Sequence, residues 1–499
     1  MDFAVFSGLS LLPIILIIYY VKLQSKRHRL PRAPSIWLPF FGNALHSLRS
    51  VNESKLLHDQ RNLGSDAITM CYFWHRRYHF VVTSLELAKE CFIKNSEKSS
   101  HRINPPRGVA MFKDEKDYGI ISANGTTWRN HRRTVMTSLR NLGMGKSKLE
   151  DMIEQEARQL IEAMEEVYLR STDYPQRLFA TATTNIICQM AFGIRFNYND
   201  SSFKIFFEAI ENLFSQQALN LRRFLPSFLR RFPGIYDAKT ERIFESINII
   251  RGFCRKQLEI KKKLMKSENY IPEAIEDCVL EKLVQKQNDD PEYYSDTAII
   301  QILQNLFTAG TDTTSNSLSW SVLFLMNHSD IQTILRKEIL DAIGEGRFTY
   351  QHLDSMPHLN AFILETLRFS SIAIRSIVHR LIETITTEKY TFPAGSIMQV
   401  SLFCIQRDRS AFKFPDRFDI NNFLENGEVV QNENLLPFSL GPRACPGERL
   451  AKMEIFFFLV HIIRTFNIES IPGDLYQDDD FRQGLTRQPP HYQVKMTPV

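Results

Sequence analysis

The sequence predicts a mainly α-helical fold with a small β region, because helical periodicity is widespread and strand signals are few. Hydrophobic residues recur at i, i+3, i+4 and i+7 from Leu149 to Val167, which places them on one face of a helix. A much longer segment begins at Ser295 or Asp296 as N-cap and ends near Asn327. At about 1.5 Å per residue, it could cross a whole domain. Three further segments read as helices: residues 177–193, 200–217 and 237–266.

Strand signals are limited to a short stretch of the second half. Strands are predicted at Ile385–Phe392 and Ile397–Phe403, and Pro393-Ala394-Gly395 forms the turn between them. The length of 499 residues alone suggests about three domains. However, residues 46–499 contain no internal repeat, low-complexity tract or second proline-rich linker, so we expect them to form one folded body.

The first 45 residues are predicted to form a membrane anchor, residues 1–22, and a stiff basic hinge, residues 23–45. Phe3–Val21 is an uncharged run of nineteen residues, which spans close to the ~30 Å core of a bilayer. A cleavable signal peptide is the alternative, but it needs a basic start, and the chain begins Met1-Asp2. Five cations follow the run and place the body in the cytosol: Lys22, Lys26, Arg27, Arg29 and Arg32.

Charge and cysteine content exclude two classes of protein. Lysine and arginine total 61 against 56 acidic residues, a formal charge of +5, and most of this excess belongs to the anchor and hinge. The body therefore lacks the basic footprint of a nucleic-acid-binding protein. Seven cysteines are an odd number, and no two have C-x-x-C spacing, which indicates a reducing compartment rather than a disulfide scaffold.

Cys445 lies in a distinctive segment, Phe438-Ser-Leu-Gly441-Pro-Arg443-Ala-Cys445-Pro-Gly447, just before an apolar helical pattern. The following proline suits a first helical turn, which predicts that Cys445 lies at a helix N-terminus, where the dipole favours a thiolate. A lone cysteine is more often a small buried hydrophobic residue.

This segment resembles the haem-binding signature of the cytochromes P450, the haem-thiolate monooxygenases, which reads Phe-x-x-Gly-x-Arg-x-Cys-x-Gly. All five fixed positions match. The resemblance implies that Cys445 is the proximal thiolate ligand of haem b iron. It also implies that Phe438 packs beside the haem, that Gly441 and Gly447 allow close backbone approach, and that Arg443 pairs with a propionate.

Three other segments resemble motifs of the same family. Trp128-Arg-Asn-His-Arg132 resembles its Trp-x-x-x-Arg pair, which binds a propionate, although an ordinary basic helix is the alternative. His379 falls where a further propionate partner is often found, with a buried structural role equally open. Glu365-Thr-Leu-Arg368 resembles its Glu-x-x-Arg pair. The third partner of that pair would be Arg417, whereas an exposed surface pair is the alternative.

The middle of the long helix, Ala309-Gly310-Thr311-Asp312-Thr313-Thr314, is similar to the oxygen-activation motif of the family. There Gly310 would leave room beside the distal haem face. Asp312 and Thr313 would be the acid and alcohol that deliver protons. A cluster of N-capping residues is the alternative. Unlike many members, the run from Phe369 to Arg380 has no proline. It carries Arg375, which would bring a cation toward the pocket, with a buried structural role equally open.

Taken together, the motifs imply the cytochrome P450 fold over residues 46–499, preceded by one transmembrane helix, on the cytosolic side of the endoplasmic reticulum membrane. The implied reaction inserts one oxygen atom from O2 into a lipophilic small molecule such as a lipid, steroid, fatty acid or xenobiotic. Electrons would come from NADPH through a flavoprotein reductase, with a b-type cytochrome as a second candidate donor. The alternatives are a haem-thiolate isomerase or dehydratase acting on a lipid peroxide, and a non-catalytic haem-binding protein.

The resemblance also assigns two surfaces. Substrate-facing segments would be His101–Ala123, Ser202–Tyr236, Ile302–Ala309, Phe369–Ile374 and Phe481–Thr486. The reductase-docking face would include Arg129, Arg133, Arg443 and Lys452.

Overall fold

The computed structural model describes residues 29–32, 62, 64–72, 77–103, 118–142, 147–168, 174–198, 200–215, 238–268, 278–344, 346–473 and 476–499. Of the predicted anchor and hinge, only residues 29–32 are among them. No helix in these ranges combines the length and apolar character needed to cross a membrane. The predicted anchor, residues 1–22, lies outside the described residues.

Helices dominate the described ranges, as predicted, and the longest is α9, Asp296–Asn327. Its predicted start is confirmed, since the Ser295 side chain accepts a 3.3 Å hydrogen bond from the Ala298 backbone N–H. In chain order the helices are α1 Leu85–Lys89, α2 Ser96–Ser99, α3 Gly125–Asn141, α4 Ser147–Tyr168, α5 Gln176–Phe192, α6 Ser201–Ser215, α7 Ala238–Met265, α8 Val279–Asp289, α9, α10 Ser329–Ile343, α11 Pro357–Ser370, α12 Leu402–Ile405 and α13 Glu448–Thr465.

The β structure is small. A mixed sheet has the order β1-β2-β7-β4-β3, where β2 and β7 run parallel with His79 opposite Ile397. The remaining β structure consists of four separate two-stranded sheets: β5-β6, β8-β9, β10-β13 and β11-β12. The strands are β1 Ala67–Tyr72, β2 Arg77–Val82, β3 His101–Arg102, β4 His379–Arg380, β5 Ile385–Thr386, β6 Thr391–Phe392, β7 Ile397–Val400, β8 Leu424–Glu425, β9 Glu428–Val429, β10 Phe466–Ser470, β11 Arg482–Gln483, β12 Arg487–Gln488 and β13 Val494–Pro498.

Both predicted strands were too long. Residues 385–392 form the hairpin β5-β6, since Thr387 N–H donates to the Tyr390 carbonyl oxygen at 2.8 Å and turns the chain. The second strand ends at Val400, because the Ser401 hydroxyl accepts from Cys404 N–H and caps α12.

The central helix α9 is buried on nearly every side, although it is rich in serine and threonine. Their hydroxyls donate to carbonyl oxygens one turn earlier: Thr308 to Gln304, Thr311 to Phe307, Thr313 to Ala309, Ser317 to Thr313, Ser319 to Ser315 and Ser321 to Ser317. The helix backbone therefore satisfies these polar groups itself, which makes their burial tolerable.

Candidate active site

The Cys445 loop is closed by its own backbone. Cys445 N–H donates to the Phe438 carbonyl oxygen at 2.9 Å, and Ala444 N–H donates to the Gly441 oxygen at 3.0 Å. Helix α13 begins at Glu448 with Gly447 as N-cap, so Cys445 precedes the helix by three residues. Among the cysteines whose side chains are described, Cys445 alone is exposed. Cys445 is therefore not packed into the core as the other described cysteines are.

The position before a helix does not by itself favour the thiolate of Cys445. The Cys445 sulfur is largely surrounded by protein, which removes it from water. This desolvation raises the pKa of the thiol more than the hydrogen bond from the Gly447 N–H lowers it. The expected effect of the helix start is therefore outweighed in the protein alone. A coordinated metal cation would supply the missing stabilisation, since it deprotonates a thiol outright.

Three of the predicted glycines differ in what they require. Gly441 has φ +76°, and a side chain there would collide with the Phe92 carbonyl oxygen, so only glycine fits. At Gly447 an added Cβ would meet only Cys445 Sγ, at 3.9 Å, an ordinary contact. At Gly310 it would meet Ile187 Cδ1 at 2.5 Å. Gly310 therefore allows α9 to pack closely against α5, while its expected place beside the distal haem face stays a prediction.

A cluster of cations lies beside the Cys445 loop. The Arg443 guanidinium donates to the carbonyl oxygens of Ser100 and Ala123, at 2.9 and 2.7 Å, and stacks 3.7 Å from the Trp128 ring centroid. Burial, followed by the charges of Arg102 and Arg132, lowers the pKa of Arg443 to about 8. Arg443 is thus too enclosed for the reductase-docking face expected of it.

The same cluster could bind an anionic group. In the described part of the chain, no carboxylate forms an ion pair with Arg102, Arg132 or Arg443. Among the residues that the structure describes, the buried Trp128 indole nitrogen has no hydrogen-bond partner, a costly arrangement unless a ligand accepts from it. Arg132 links the cluster to Cys445, since it donates to the Ala444 carbonyl oxygen at 2.7 Å.

His379 is fully enclosed and paired with protein groups. Its Nδ1 lies 2.8 Å from the Ser99 carbonyl oxygen, so Nδ1 carries the proton and donates. Burial, then the nearby Arg102 charge, holds the pKa of His379 well below its usual range. The neutral ring then has only an acceptor at Nε2. The Ser99 contact supports the structural alternative for His379, and its role as a propionate partner stays a prediction.

Asp312 and Thr313 are adjacent in the chain but point in different directions. The Thr313 hydroxyl donates to the Ala309 oxygen at 2.7 Å on the accessible face of α9. The buried Asp312 carboxyl instead accepts from the Thr486 hydroxyl at 2.8 Å. Desolvation raises the pKa of Asp312 to about 7, although the Thr486 hydrogen bond lowers it. Thr486 has no sequence signal as a partner of this acid.

The Glu365–Arg368 pair is completely buried, which excludes an exposed surface contact. Arg368 donates two bonds of 2.7 Å to Glu365. Asn422 Nδ2 and the Asp419 N–H donate to the same carboxylate at 3.1 and 2.8 Å. Arg417 reaches the pair only through its carbonyl oxygen, which accepts from Arg368 at 2.8 Å.

The Arg417 side chain is therefore not the third partner that the motif order suggested. Its guanidinium pairs with Asp419 at 2.8 Å and is largely exposed. It also lies 4.0 Å from the Phe414 ring centroid. Asn422 fills the place expected of Arg417, and no motif in the sequence marks it.

The chain is mainly helical, and an exposed cysteine loop precedes its last long helix. A buried cation cluster lies beside that loop. These are features of a haem-thiolate protein. A family model described as cytochrome P450 matches residues 31–496. The chain is 31% identical over 492 residues to cytochrome P450 2C5 of Oryctolagus cuniculus, covering 97% of each. It is 30% identical over 506 residues to cytochrome P450 2C7 of Rattus norvegicus, covering 100% of each, and 29% identical to cytochrome P450 2C8 of Homo sapiens. The chain belongs to the cytochrome P450 family and is an oxidoreductase.

Proposed function

We propose that the protein is a membrane-bound haem-thiolate monooxygenase that inserts one oxygen atom from O2 into a lipophilic small molecule. The observation that carries the proposal is the bond from Arg132 to the Ala444 oxygen, because it brings the cation cluster next to Cys445. A haem needs both features at once: a thiolate for its iron and cations for its propionates.

Each residue then has a distinct part in holding the group. Cys445 would bind the iron, and Trp128, Arg132 and Arg443 would bind the two propionates. Arg443 would exchange backbone carbonyl partners for a carboxylate, which is a stronger, charge-assisted acceptor. When bound, the haem supplies the chemistry of electron uptake and oxygen activation.

The acid and the alcohol of α9 would handle protons. Since the pKa of Asp312 is about 7, this carboxyl can take up and release a proton at neutral pH. The Thr313 hydroxyl lies on the accessible face and keeps its oxygen lone pairs available, because it donates to Ala309. A positioned acid of this kind typically contributes ~10²- to 10⁴-fold to a rate.

The remaining parts follow from the sequence and family. Residues 1–22 would anchor the chain in the endoplasmic reticulum membrane and residues 23–45 would connect it to the catalytic domain, residues 46–499, in the cytosol. NADPH would supply electrons through a flavoprotein reductase, with a b-type cytochrome as a second donor. Arg129 and Arg133 are exposed and suit the docking face, as does the half-buried Lys452, which pairs with Glu448 at 2.7 Å.

The decisive test replaces Cys445 by Ser in the full chain. The reduced protein with carbon monoxide should show the long-wavelength Soret band of thiolate ligation, and Cys445→Ser should abolish it. Cys254→Ala, which changes a buried cysteine, is the control and should keep the band. If the band survives in Cys445→Ser, the haem ligand has been misassigned.

A second measurement separates the reaction classes. With reductase and NADPH, a monooxygenase should consume NADPH and form hydroxylated or dealkylated product. An isomerase or dehydratase would instead convert a lipid hydroperoxide without reductase. A protein that binds haem but does neither would be non-catalytic.

A further inference from the structure

The carboxyl group of Asp312 is held by the C-terminal hairpin rather than by Thr313. Thr486 Oγ1 donates to Oδ2 of Asp312 at 2.8 Å, and Gln488 Nε2 lies 3.5 Å from Oδ1. Asp312 and Thr486 are each 5% exposed, so water does not compete for this bond. The hydroxyl is presented by the tip between β11 and β12.

The tip of this hairpin is seated against the end of α6. Leu485 N–H donates to the Phe214 carbonyl oxygen at 2.8 Å. A side chain at Gly484 would collide with that same oxygen, so the backbone approach requires glycine. The Leu485 side chain remains exposed, an apolar group next to the threonine that binds Asp312.

The other end of the hairpin is fixed to the core. Arg487 N–H donates to the Ile372 oxygen at 2.9 Å, and the Arg487 oxygen accepts from the Trp320 indole at 3.2 Å. The Arg487 guanidinium donates to the Phe369 oxygen at 2.8 Å. Thr486 thus lies between an immobilised β12 and a tip that contacts α6, which restricts where its hydroxyl can point.

We propose that Thr486 is a positioning residue for proton supply: its hydroxyl holds the Asp312 carboxylate in one orientation and stabilises its ionised form inside the core. The inference rests on the proposed function, in which Asp312 supplies protons. Through Leu485 and Phe214, the hairpin also joins the acid to two segments expected to face the substrate.

Charged groups on the neighbouring elements act on the same carboxyl. Arg482 on β11 lowers the pKa of Asp312, whereas Glu211 on α6 raises it. The pKa of Tyr174, just before α5, is raised mainly by burial and also by the Asp312 charge. Asp312 has no arginine or lysine ion pair among the described residues. Its ionisation is therefore favoured at close range by side-chain hydrogen bonds, of which the one from Thr486 lowers the pKa most and the one from Asn316 comes next.

The first test measures titration without turnover. Thr486→Val keeps the shape but removes the donor, and Thr486→Ser keeps the donor. The melting temperature of the haem-loaded protein is followed across neutral pH. In the wild type, stability should fall as pH rises from about 4 to about 7 and should level off above that, because the pKa of Asp312 is raised on folding from 3.8 to about 7.

In Thr486→Val the pH at which stability levels off should rise by about one unit, the scale of one hydrogen bond to a carboxylate. Thr486→Ser should level off at the wild-type pH, and Asp312→Asn should remove this pH dependence. An unchanged levelling-off pH in Thr486→Val would overturn the proposal, because a merely structural role would change the melting temperature without shifting its pH dependence.

The second test measures coupling with reductase, NADPH and 7-ethoxycoumarin as a lipophilic probe. Thr486→Val should lower product per NADPH several-fold and raise hydrogen peroxide, while Thr486→Ser stays within about twofold of wild type. Equal losses in both variants would contradict the proposal. If the wild type itself turned over neither this probe nor other lipophilic compounds, the proposed function would fail, while the melting experiment would still decide the Thr486–Asp312 link.

Discussion

Arg132 on α3 donates a 2.7 Å hydrogen bond to the carbonyl oxygen of Ala444, a residue 312 positions later in the chain. This bond ties the helix that carries Trp128 to the loop that carries Cys445. The other Arg132 nitrogens have no hydrogen-bond partner within the described ranges, so one side chain both shapes the loop and contributes charge. The cation cluster and the cysteine loop are therefore one structural unit.

Replacing Arg132 by Leu should weaken haem retention about 10- to 100-fold, because a charge-assisted hydrogen bond contributes about 1.5–3 kcal/mol. Arg132→Lys should lose less, since it keeps the charge but not the planar fork. The measurement is the rate of haem transfer to apomyoglobin. Arg129→Leu, at an exposed neighbouring position, is the control, and equal loss in both variants would exclude a specific role for Arg132.

Trp128→Phe should weaken haem binding while leaving the haem-free protein as stable or more stable. The substitution keeps an aromatic ring for Arg443 to stack on and removes a buried N–H without a partner, which is costly in the absence of an acceptor. Haem titration and urea unfolding of the haem-free chain measure the two effects. Destabilisation of the haem-free chain by several kcal/mol would show that the indole N–H has an internal partner.

Breaking the Glu365–Arg368 pair should be far more damaging than removing the Arg417 side chain. Arg368→Met leaves a buried carboxylate without its partner, at a cost of about 3–5 kcal/mol. Arg417→Ala removes an exposed ion pair worth about 0–1 kcal/mol. Urea unfolding monitored by circular dichroism compares them, and similar losses would mean that Arg417 supports the pair by more than its carbonyl oxygen.

Gly310→Ala should destabilise the protein by about 1–3 kcal/mol through overpacking, because the new methyl group meets Ile187. Ile187→Ala alone should create a small cavity, and the double variant should recover part of the loss, giving a favourable coupling energy. Thermal unfolding of the wild type, the two single variants and the double variant completes this double-mutant cycle. Additive losses would indicate that Gly310 acts against another neighbour.

The His328–Asp478 contact should stabilise the protein at low rather than high pH. The 2.8 Å hydrogen bond that His328 Nε2 donates to the Asp478 carboxylate is the main cause that raises the pKa of His328. A raised folded-state pKa gives stability that is full below pH 6.5 and is lost as pH rises through the folded value. The difference between the free energies of unfolding at pH 6 and pH 8 should be smaller in Asp478→Asn than in the wild type. The reduction should be up to about 1 kcal/mol at this partly exposed site. An unchanged difference would assign the pH dependence to other groups.

Local periodicity predicted the helices well. Residues 177–193 correspond to α5, 200–217 to α6 and 237–266 to α7, with ends displaced by no more than two residues. Helical spacing depends on neighbours within two turns, so a single sequence contains that information. The hairpin β5-β6 was missed because its turn is held by hydrogen bonds between Thr387, including its hydroxyl, and the Tyr390 backbone, rather than by glycine or proline.

The candidate site was predictable only where residue spacing carries the information. Cys445 belongs to a contiguous motif, and the structure places the predicted Arg132 beside its loop. Asn422 and Thr486 were missed because they bind Glu365 and Asp312 across 57 and 174 positions. Such partners depend on how helices and hairpins pack together, and neither composition nor periodicity specifies this.

The internal hydrogen bonds of the central helix also bear on which chemical groups a bound molecule can offer. A hydroxyl that already donates to the preceding turn can offer a ligand only its oxygen lone pairs, as an acceptor. At Thr313 the oxygen could accept hydrogen bonds from alcohols and N–H groups. Ethers and ketones have no donor, so they would bind this hydroxyl only if its hydrogen bond to Ala309 were broken. Ligand preference along α9 is therefore set by which hydroxyls are already engaged, and the number of serine and threonine residues is a poor guide to its polarity.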